Sequence, residues 1–376
     1  MKKLFKQNII LSFAIFLAVL SMICAIIGYY SGGVIHGKKT SLDVLQWSMD
    51  PSSEYDFLNT TDDEHVYLAG YDDKSEQHLL DPTGKILDKM PGTDLGHGYY
   101  EVKEDEAYGV CDKEGNMLID ASYDYIESEG NYFITHTENE RIAFWNLQGE
   151  CIYEEPQIAY AKYLGEDKFL VNQEGLAKSY VIDLSTMEKQ PLAKHIEFVK
   201  SDGNGGLMGS VGGLYYPLDE NFDVVEGGPV YEYYDELSDG LRYVTIYDEK
   251  TGKSSPCYID KKGEVVISLE QIPDNAGPFS EGKALVQTGR TLVCIDKSGK
   301  ELFTLKCKVN RSNFQIYRDY CYSEGYAAVS LDDAYGYIDE TGEFVIPPVL
   351  DTAEEIKNGY AIAAIDGYQY GILKFD

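Results

Sequence analysis

Residues 335–348 read YGYIDETGEFVIPP, and this short stretch decides the fold of the chain. Tyr335, Tyr337 and Asp339 alternate with glycine and isoleucine, and a period of two predicts a β-strand. A turn follows, and a second β-rich run stops at Pro347, because proline lacks the backbone donor that a strand interior needs. The stretch therefore predicts one β-hairpin.

Degenerate copies of this hairpin recur along the chain. Related stretches are YGVCDKEGNMLI at 108–119, CYIDKKGEVVI at 257–267 and VCIDKSGKELF at 293–303. One acidic or amide residue marks each copy: Asp81, Asp112, Asn146, Asp183, Asp219, Asp260, Asp296 and Asp339. Successive markers are 31 to 43 residues apart, which indicates a constant structural unit carrying loops of different length.

Each marker begins a turn that usually reads Asp, two variable residues, Gly. The aspartate accepts hydrogen bonds from turn amides and the glycine accepts a positive φ, so these aspartates are predicted to be structural. A third strand precedes the hairpin, as at 325–329, and a short fourth strand fits 231–235. Three or four antiparallel strands in about 37 residues predict an all-β repeat architecture, namely a β-propeller of about 7–9 blades. An elongated antiparallel β-meander is the alternative.

The unit resembles the WG-repeat family of bacteria. That family has Trp-Gly-aromatic-Ile-Asp, a glycine turn, an Ile-Pro-Pro stop and a later Phe-x-Glu-Gly-x-Ala step. The copies that carry the match are marked by Asp112, Asp260, Asp296 and Asp339. Tyrosine replaces the tryptophan of the signature at Tyr108, Tyr335 and Tyr370, each followed by the expected glycine. The resemblance covers about residues 60–376 and implies a repeat architecture without implying a substrate.

The N-terminal segment differs from the repeats in composition. Residues 9–30 are apolar with mild interruptions, and about 20 such residues span a hydrocarbon core as a helix. Lys2, Lys3 and Lys6 precede them, which favours a cytoplasmic N-terminus. The predicted order is a cytoplasmic tail at 1–8, one transmembrane helix at 9–30, a juxtamembrane linker with candidate blade-closing strands at 31–59, and the WG-like repeat domain at 60–376. A cleaved signal peptide and a lipid-modified Cys24 are the alternatives.

The chain ends suggest how a ring of blades closes. Propellers often build one blade from both ends of the chain. Two C-terminal strands, predicted at 360–365 and 368–375, have no outer partner in the sequence that follows them. Residues 44–47 and 55–58 are β-rich and precede the first unit, so we expect them to supply the missing strands.

Charge and cysteine usage narrow the functional classes. The chain has 64 acidic and 32 basic residues and a formal net charge of −32. Such a surface repels phosphate backbones, which excludes nucleic acid as a partner. Cys111, Cys257 and Cys294 occupy the same strand position in different units, too far apart for a disulfide, and are expected to be buried thiols. Cys307 and Cys321 are the one pair left open for a disulfide.

No motif in the sequence commits the chain to a reaction. The six histidines form no zinc pattern, and the calcium-like run at 219–223 lacks the required glycine and glutamate. We therefore predict no catalytic, cofactor-binding or metal-binding residue, and no enzyme. The expected function is a membrane-anchored extracellular binding module, whose partner is a protein, a peptide or a cell-wall glycan. The alternative is a cell-surface hydrolase of wall polymers with its active site on propeller loops.

Overall fold

A computed structural model describes residues 45–61, 66–70, 77–104, 106–137, 141–156, 158–173, 179–193, 195–306, 314–315, 321–331, 334–367 and 369–375. Within these ranges the chain is all-β and contains no helix. The predicted tail at 1–8, the predicted transmembrane helix at 9–30 and the linker up to residue 44 lie outside the described residues. The all-β prediction is confirmed for the residues that are described.

The strands fall into eight sheets, which we number along the chain. Strand β1 (Trp47–Ser52) precedes them all. Sheet 1 contains β2 (Leu58–Thr60), β3 (Tyr67–Ala69), β4 (His78–Leu80) and β5 (Ile86–Lys89). Sheet 2 contains β6 (Thr93–Gly96), β7 (Tyr99–Glu104), β8 (Ala107–Asp112) and β9 (Met117–Tyr123). Sheet 3 contains β10 (Tyr125–Glu129), β11 (Tyr132–Thr137), β12 (Arg141–Asn146) and β13 (Cys151–Pro156).

Sheet 4 contains β14 (Ile158–Gly165), β15 (Lys168–Gln173), β16 (Ser179–Asp183) and β17 (Glu188–Pro191). Sheet 5 contains β18 (Phe198–Ser201), β19 (Leu207–Val211), β20 (Leu214–Leu218), β21 (Tyr231–Tyr234), β22 (Leu241–Asp248), β23 (Lys253–Asp260) and β24 (Val265–Ser268). Sheet 6 contains β25 (Asn275–Ala276), β26 (Lys283–Thr288), β27 (Thr291–Asp296) and β28 (Glu301–Lys306).

Sheet 7 contains β29 (Phe314–Gln315), β30 (Tyr322–Ser323), β31 (Tyr326–Leu331), β32 (Ala334–Asp339) and β33 (Phe344–Leu350). Sheet 8 contains β34 (Thr352–Ala353), β35 (Tyr360–Ile365) and β36 (Gln369–Lys374), and β1 pairs with β36. A strand from the start of the chain thus takes the fourth place in the last sheet. The expectation for 55–58 is wrong, because Leu58 begins β2 of sheet 1 instead.

Sheets 1 to 6 are antiparallel meanders in which neighbours in sequence pair in space. Sheet 7 is also antiparallel, but both β29 and β30 pair with β31. Sheet 5 has seven strands because Tyr215 of β20 pairs with Tyr231 of β21 and so joins two repeat units. Backbone contacts divide the chain into two compact units. The larger holds residues 48–272 and 369–372, and the smaller holds residues 45–47, 273–367 and 373–375.

The turn between the third and fourth strands has the predicted chemistry. Asp339 Oδ1 accepts hydrogen bonds from the amides of Thr341 (2.9 Å) and Glu343 (3.0 Å), and Gly342 has φ 83°. The same two amide bonds form at Asp81, Asp112, Asn146, Asp219, Asp260 and Asp296. Hydrogen bonds to the ionised carboxylate lower the pKa values of four of these aspartates. The largest contribution comes from the side chain of Thr83 at Asp81, of Asn116 at Asp112 and of Ser298 at Asp296, and from the amide of Glu264 at Asp260. The marker residues are structural, as the sequence predicts.

Tyrosine fills the core between neighbouring sheets. Tyr322 and Tyr337 have fully buried rings, and their hydroxyls donate to the carbonyls of Asp339 (3.1 Å) and Glu354 (2.7 Å). Burying the ring provides the hydrophobic gain, while the hydroxyl keeps a hydrogen bond and costs little. Tyrosine therefore serves as a core residue in these repeats.

In the smaller unit, glutamates link one repeat to the next. The carboxylate of Glu281 accepts the amides of Glu324 (2.6 Å) and Gly325 (3.0 Å). Glu324 in turn accepts the amides of Asn358 and Gly359. Each aromatic-Ser-Glu-Gly step therefore provides two acceptors to the next step, which explains why glutamate recurs at this exposed turn.

We expect Glu281→Ala to lower the free energy of unfolding by about 1 kcal/mol, the usual loss when a side chain that caps exposed amides is removed. Urea denaturation of the full-length protein would measure this loss. The control is Glu343→Ala, because that exposed carboxylate has no hydrogen bond to another repeat in the part of the chain that the structure describes. Equal stability of the two variants would show that the link between repeats contributes nothing.

Candidate ligand-binding site

The first strand of sheet 3 carries an exposed aromatic ring beside a buried histidine. Tyr125 and His136 are register partners on β10 and β11, so their side chains lie on one face of the sheet. Their rings stack with centroids 3.8 Å apart and planes 13° from parallel. The tyrosine is 45% exposed, whereas the histidine side chain is 9% exposed. His136 therefore covers one face of the tyrosine ring, and the exposure of Tyr125 lies on its remaining surface.

Two carboxylates continue this face. Glu127 and Glu129 follow Tyr125 at alternate positions of β10, and all three are exposed. An oxygen of Glu127 lies 3.6 Å from Nε2 of His136, beyond hydrogen-bond distance. Nε2 is buried and has no hydrogen-bond partner among the described residues. The face thus combines a flat ring, two acceptor groups and one unsatisfied imidazole nitrogen.

Burial sets the protonation of this cluster. Desolvation lowers the pKa of His136 to about 4, so the imidazole is neutral at physiological pH. Desolvation also raises the pKa of Glu127, with a smaller contribution from Glu129. A neutral imidazole beside carboxylates is suited to hydrogen bonding with a polar ligand. We call these four residues, Tyr125, Glu127, Glu129 and His136, the Tyr125 platform.

The Tyr125 platform is not predicted by the sequence. The alternation of Tyr125, Glu127 and Glu129 indicates a strand with one polar face, which many solvated strands share. What makes the site is the register that sets His136 opposite Tyr125, and a single sequence does not give that register. The one available signal is His136 itself, a histidine that ends an otherwise apolar run beginning at Tyr132.

A second polar cluster lies between the two repeat units that sheet 5 joins. Arg242 is buried, and one guanidinium nitrogen donates to the carbonyl of Asp202 and to the hydroxyl of Tyr234. Lys200 donates to the carbonyl of Tyr234 (2.5 Å) and lies 4.4 Å from the ring centre of Tyr215. Arg242 thus binds a backbone carbonyl of the preceding unit and Lys200 binds one of the following unit, so the cluster holds the two repeat units together.

A carboxyl group with a strongly raised pKa lies in the smaller unit. Desolvation raises the pKa of Glu354 to about 7, and Lys357 offsets this only in part. Asp235 occupies the same place in sheet 5, since each precedes a turn glycine by five residues. Their amides donate to Ile362 and Tyr243, each over 3.0 Å. Burial raises the pKa of Asp235 as well, so the repeat itself places a partly desolvated acid at this position.

The predicted buried thiols are confirmed. Cys111, Cys257 and Cys294 are free and buried, and desolvation raises the pKa values of the last two to about 11. They remain protonated at neutral pH and are unreactive as nucleophiles. The disulfide left open for Cys307 and Cys321 is wrong, because Cys321 is a free thiol. Cys307 itself lies outside the described residues.

The calcium-like run forms an ordinary repeat turn. Asp219 Oδ1 accepts the amides of Asn221 (2.8 Å) and Asp223 (3.0 Å), as in the other copies. In the part of the chain that the structure describes, no three histidine, cysteine, aspartate or glutamate side chains are grouped to hold a metal ion. Nor do the described ranges contain a helix of the length and hydropathy needed to cross a membrane.

Comparison with known proteins supports the repeat assignment. Residues 108–134, 258–290 and 335–368 match the family model described as WG containing repeat. The resemblance is thus confirmed for the copies marked by Asp112, Asp260 and Asp339. The copy marked by Asp296 lies outside the matched segments. A search of curated proteins found no match.

Several solved structures are similar to this chain at low identity. The computationally designed Ika8 protein is 9% identical, with 88% of this chain and 100% of that chain covered and a TM-score of 0.43. BamB from Moraxella catarrhalis is 11% identical, with 88% and 99% covered and a TM-score of 0.43. The Dos1 propeller is 10% identical, with 88% and 94% covered and a TM-score of 0.43.

Proposed function

We propose that this protein is a non-catalytic binding module, anchored in the cell membrane by residues 9–30 with its repeat domain outside the cell. In this proposal the repeat units are the blades of a β-propeller, and sheet 5 supplies two of them. The antiparallel four-stranded repeat and the pairing of β1 with β36 support the propeller. The length of the apolar segment and the lysines before it support the anchor.

The Tyr125 platform carries the binding proposal, and a cell-wall glycan is the ligand that fits it best. An exposed aromatic ring packs against the C–H face of a sugar, because both surfaces are flat and weakly polar. Carboxylates beside the ring accept hydrogen bonds from sugar hydroxyls. Glu127 and Glu129 stand next to Tyr125 on the same face and supply these acceptors.

We expect Tyr125→Ala to weaken binding of a soluble wall oligosaccharide about tenfold, the loss that corresponds to removing one stacking contact of about 1.4 kcal/mol. Calorimetric titration of the full-length protein with an N-acetylglucosamine tetramer would measure it. Met187→Ala is the matched control, because it removes a similarly exposed side chain from sheet 4. Equal affinity in both variants would exclude the platform as the binding surface.

Analysis of the titrated oligosaccharide distinguishes a binding module from a wall hydrolase. Mass spectrometry of the oligosaccharide after prolonged incubation should find it intact. Shortened products that disappear in Glu127→Gln would instead assign catalysis to this face.

Surface display has its own expected result. Intact cells treated with an external protease should lose the repeat domain, while permeabilisation should be needed to cleave a cytoplasmic control protein. A full-length protein that resists protease until the cells are opened would contradict extracellular display. Recovery of the whole repeat domain from the medium, beginning near residue 22 or 34, would replace the anchor with a cleaved signal peptide.

A further inference from the structure

We propose that the edge strand β24 binds an extended, positively charged peptide segment of another protein by adding it as a further strand to sheet 5. This interaction surface goes beyond the proposed glycan-binding function and rests on different residues. Three properties of β24 favour strand addition, namely its side chains, its outward-facing backbone groups and the charges at its two ends.

The last strands of the other sheets have protection against strand addition. Charged side chains and prolines at a sheet edge prevent another chain from pairing there. Four repeats have a charged residue or a proline at the position five residues after the turn glycine: Lys89, Asp120, Glu154 and Pro347. The same position in β24 is Ser268, because Gly263 is the turn glycine of that repeat.

Among the last strands of the described sheets, β24 alone contains neither a charge nor a proline. Its sequence is Val-Val-Ile-Ser, and the other uncharged edge position, Thr304, lies on β28, which also carries Glu301. Thr304 donates its hydroxyl to Glu301, so an acid shields that edge. The absence of protection is therefore specific to β24.

Two of the three exposed side chains of β24 are apolar. Val265 is 50% exposed and Val266 is 45% exposed, and Ile272, a few residues further on, is 55% exposed. Ile267, between the valines and Ser268, is buried and faces the core. The exposed valines give an incoming strand apolar side chains to pack against.

The backbone of β24 offers hydrogen bonds to a partner. Leu269 donates its amide to Pro256 of β23 over 3.0 Å, and Ile267 is the register partner of Tyr258. Because bonding directions alternate in an antiparallel ladder, the amide and carbonyl of Ser268 point away from β23. β24 is the last strand of sheet 5, so these groups face outward and are available for strand addition.

Charge selects the partner. Glu264 and Glu270 flank β24 and are both exposed. In an antiparallel pair formed by two copies of β24 about Ile267, Glu264 of each copy would oppose Glu270 of the other, and each chain carries a net charge of −32. A second copy is therefore repelled, whereas a segment with lysine or arginine at its ends and β-branched residues in its centre is attracted.

The test uses the full-length protein and a labelled peptide, Lys-Lys-Val-Thr-Val-Thr-Val-Lys-Lys, with capped ends. Fluorescence anisotropy should detect saturable binding, and the same peptide with glutamates in place of its lysines should bind about tenfold more weakly. Methylation of alternate peptide amides should abolish binding, because strand addition depends on main-chain hydrogen bonds. No binding of the lysine peptide to the parent protein overturns the proposal.

Ser268→Pro is the decisive variant. Pro347 occupies this position in a sibling repeat, so the substitution suits the fold and removes one outward donor. We expect it to lower peptide affinity about tenfold without changing the melting temperature, because one main-chain hydrogen bond is lost at the centre of the added strand. Val266→Lys is a second variant that adds a charge without altering the backbone, and it should act in the same direction. Unchanged affinity in both overturns the proposal.

Two further controls separate the outcomes. Tyr125→Ala should leave peptide binding unchanged and Ser268→Pro should leave glycan binding unchanged, so either proposal can fail without the other. Ultracentrifugation of the parent should find no dimer mediated by this edge. A dimer that Ser268→Pro dissociates would instead assign β24 to a second copy of the chain.

Discussion

Gly336→Ala is expected to lower the free energy of unfolding by about 3 kcal/mol, at the upper end of what overpacking a tight core usually costs. A Cβ added at Gly336 would lie 2.5 Å from the carbonyl oxygen of Ile346 and 2.8 Å from backbone atoms of Pro347 and Pro348. These are backbone atoms of the neighbouring strand β33, so no side-chain rotation relieves the contact. The strand itself must move, and its pairing with β32 must weaken.

The larger unit offers an internal comparison for this effect. A Cβ at Gly109 would lie 2.6 Å from the carbonyl oxygen of Ile119, whereas a Cβ at Gly115 would meet nothing within 4 Å. Gly115 has φ 81°, so alanine there costs only the backbone strain of about 1 kcal/mol. Urea denaturation should therefore rank Gly109→Ala well above Gly115→Ala in destabilisation. The reverse order would show that backbone conformation, rather than crowding, requires these glycines.

This close approach of the neighbouring strand explains why glycine follows tyrosine in the repeat signature. Glycine follows both Tyr108 and Tyr335 in the sequence. The residues around it predict a strand, where glycine is unfavourable. The register between β32 and β33 shifts on both sides of Tyr337, which marks irregular pairing where the fourth strand crosses the third. Such a shift depends on the paired strand, so single-strand periodicity does not predict it.

The turns were predictable because their chemistry is local. Asp339 and Gly342 are three residues apart, and the bonds they support depend only on the residues between and beside them. Strands β31 (Tyr326–Leu331) and β21 (Tyr231–Tyr234) were predictable for a similar reason, since each fits a short β-rich run. The joining of two repeats at Tyr215 and Tyr231 was not, because it depends on how two separate hairpins meet.

The binding surfaces were harder to predict from the sequence than the fold was. Stacking between Tyr125 and His136 depends on cross-strand register, and the missing protection at Ser268 becomes visible only when repeats are aligned on their turn glycines. The links from Glu281 and Glu324 to the next repeat join residues more than thirty positions apart. The repeated Ser-Glu-Gly motif marks the position of these links, but it does not predict which amides donate to the glutamate.

Glu354→Gln is expected to stabilise the protein at pH 8 and to have little effect at pH 4. The folded-state pKa of Glu354 is raised to about 7 from an ordinary value of 4.5, because burial disfavours the charged form. Below pH 4.5 the group is protonated in both states and costs nothing. As the pH rises from 4.5 to 7, the unfolded state ionises first, so the stability of the folded protein falls by about 3 kcal/mol.

Glutamine keeps the size of the side chain and cannot ionise, so the variant should lack this loss. Urea denaturation of parent and variant at pH 4, 5, 6, 7 and 8 would measure the difference, which should grow with pH and level off near pH 8. The difference is the quantity to follow, since His136 acts oppositely: its lowered pKa costs stability as the pH falls from 6.5 towards 4. Glu343→Gln is the control for removing a charge from this acidic chain, because Glu343 is an exposed carboxylate in the turn that follows Asp339. If the two variants gain equally at pH 8, relief of general charge repulsion accounts for the gain, and Glu354 is not the desolvated acid of the smaller unit.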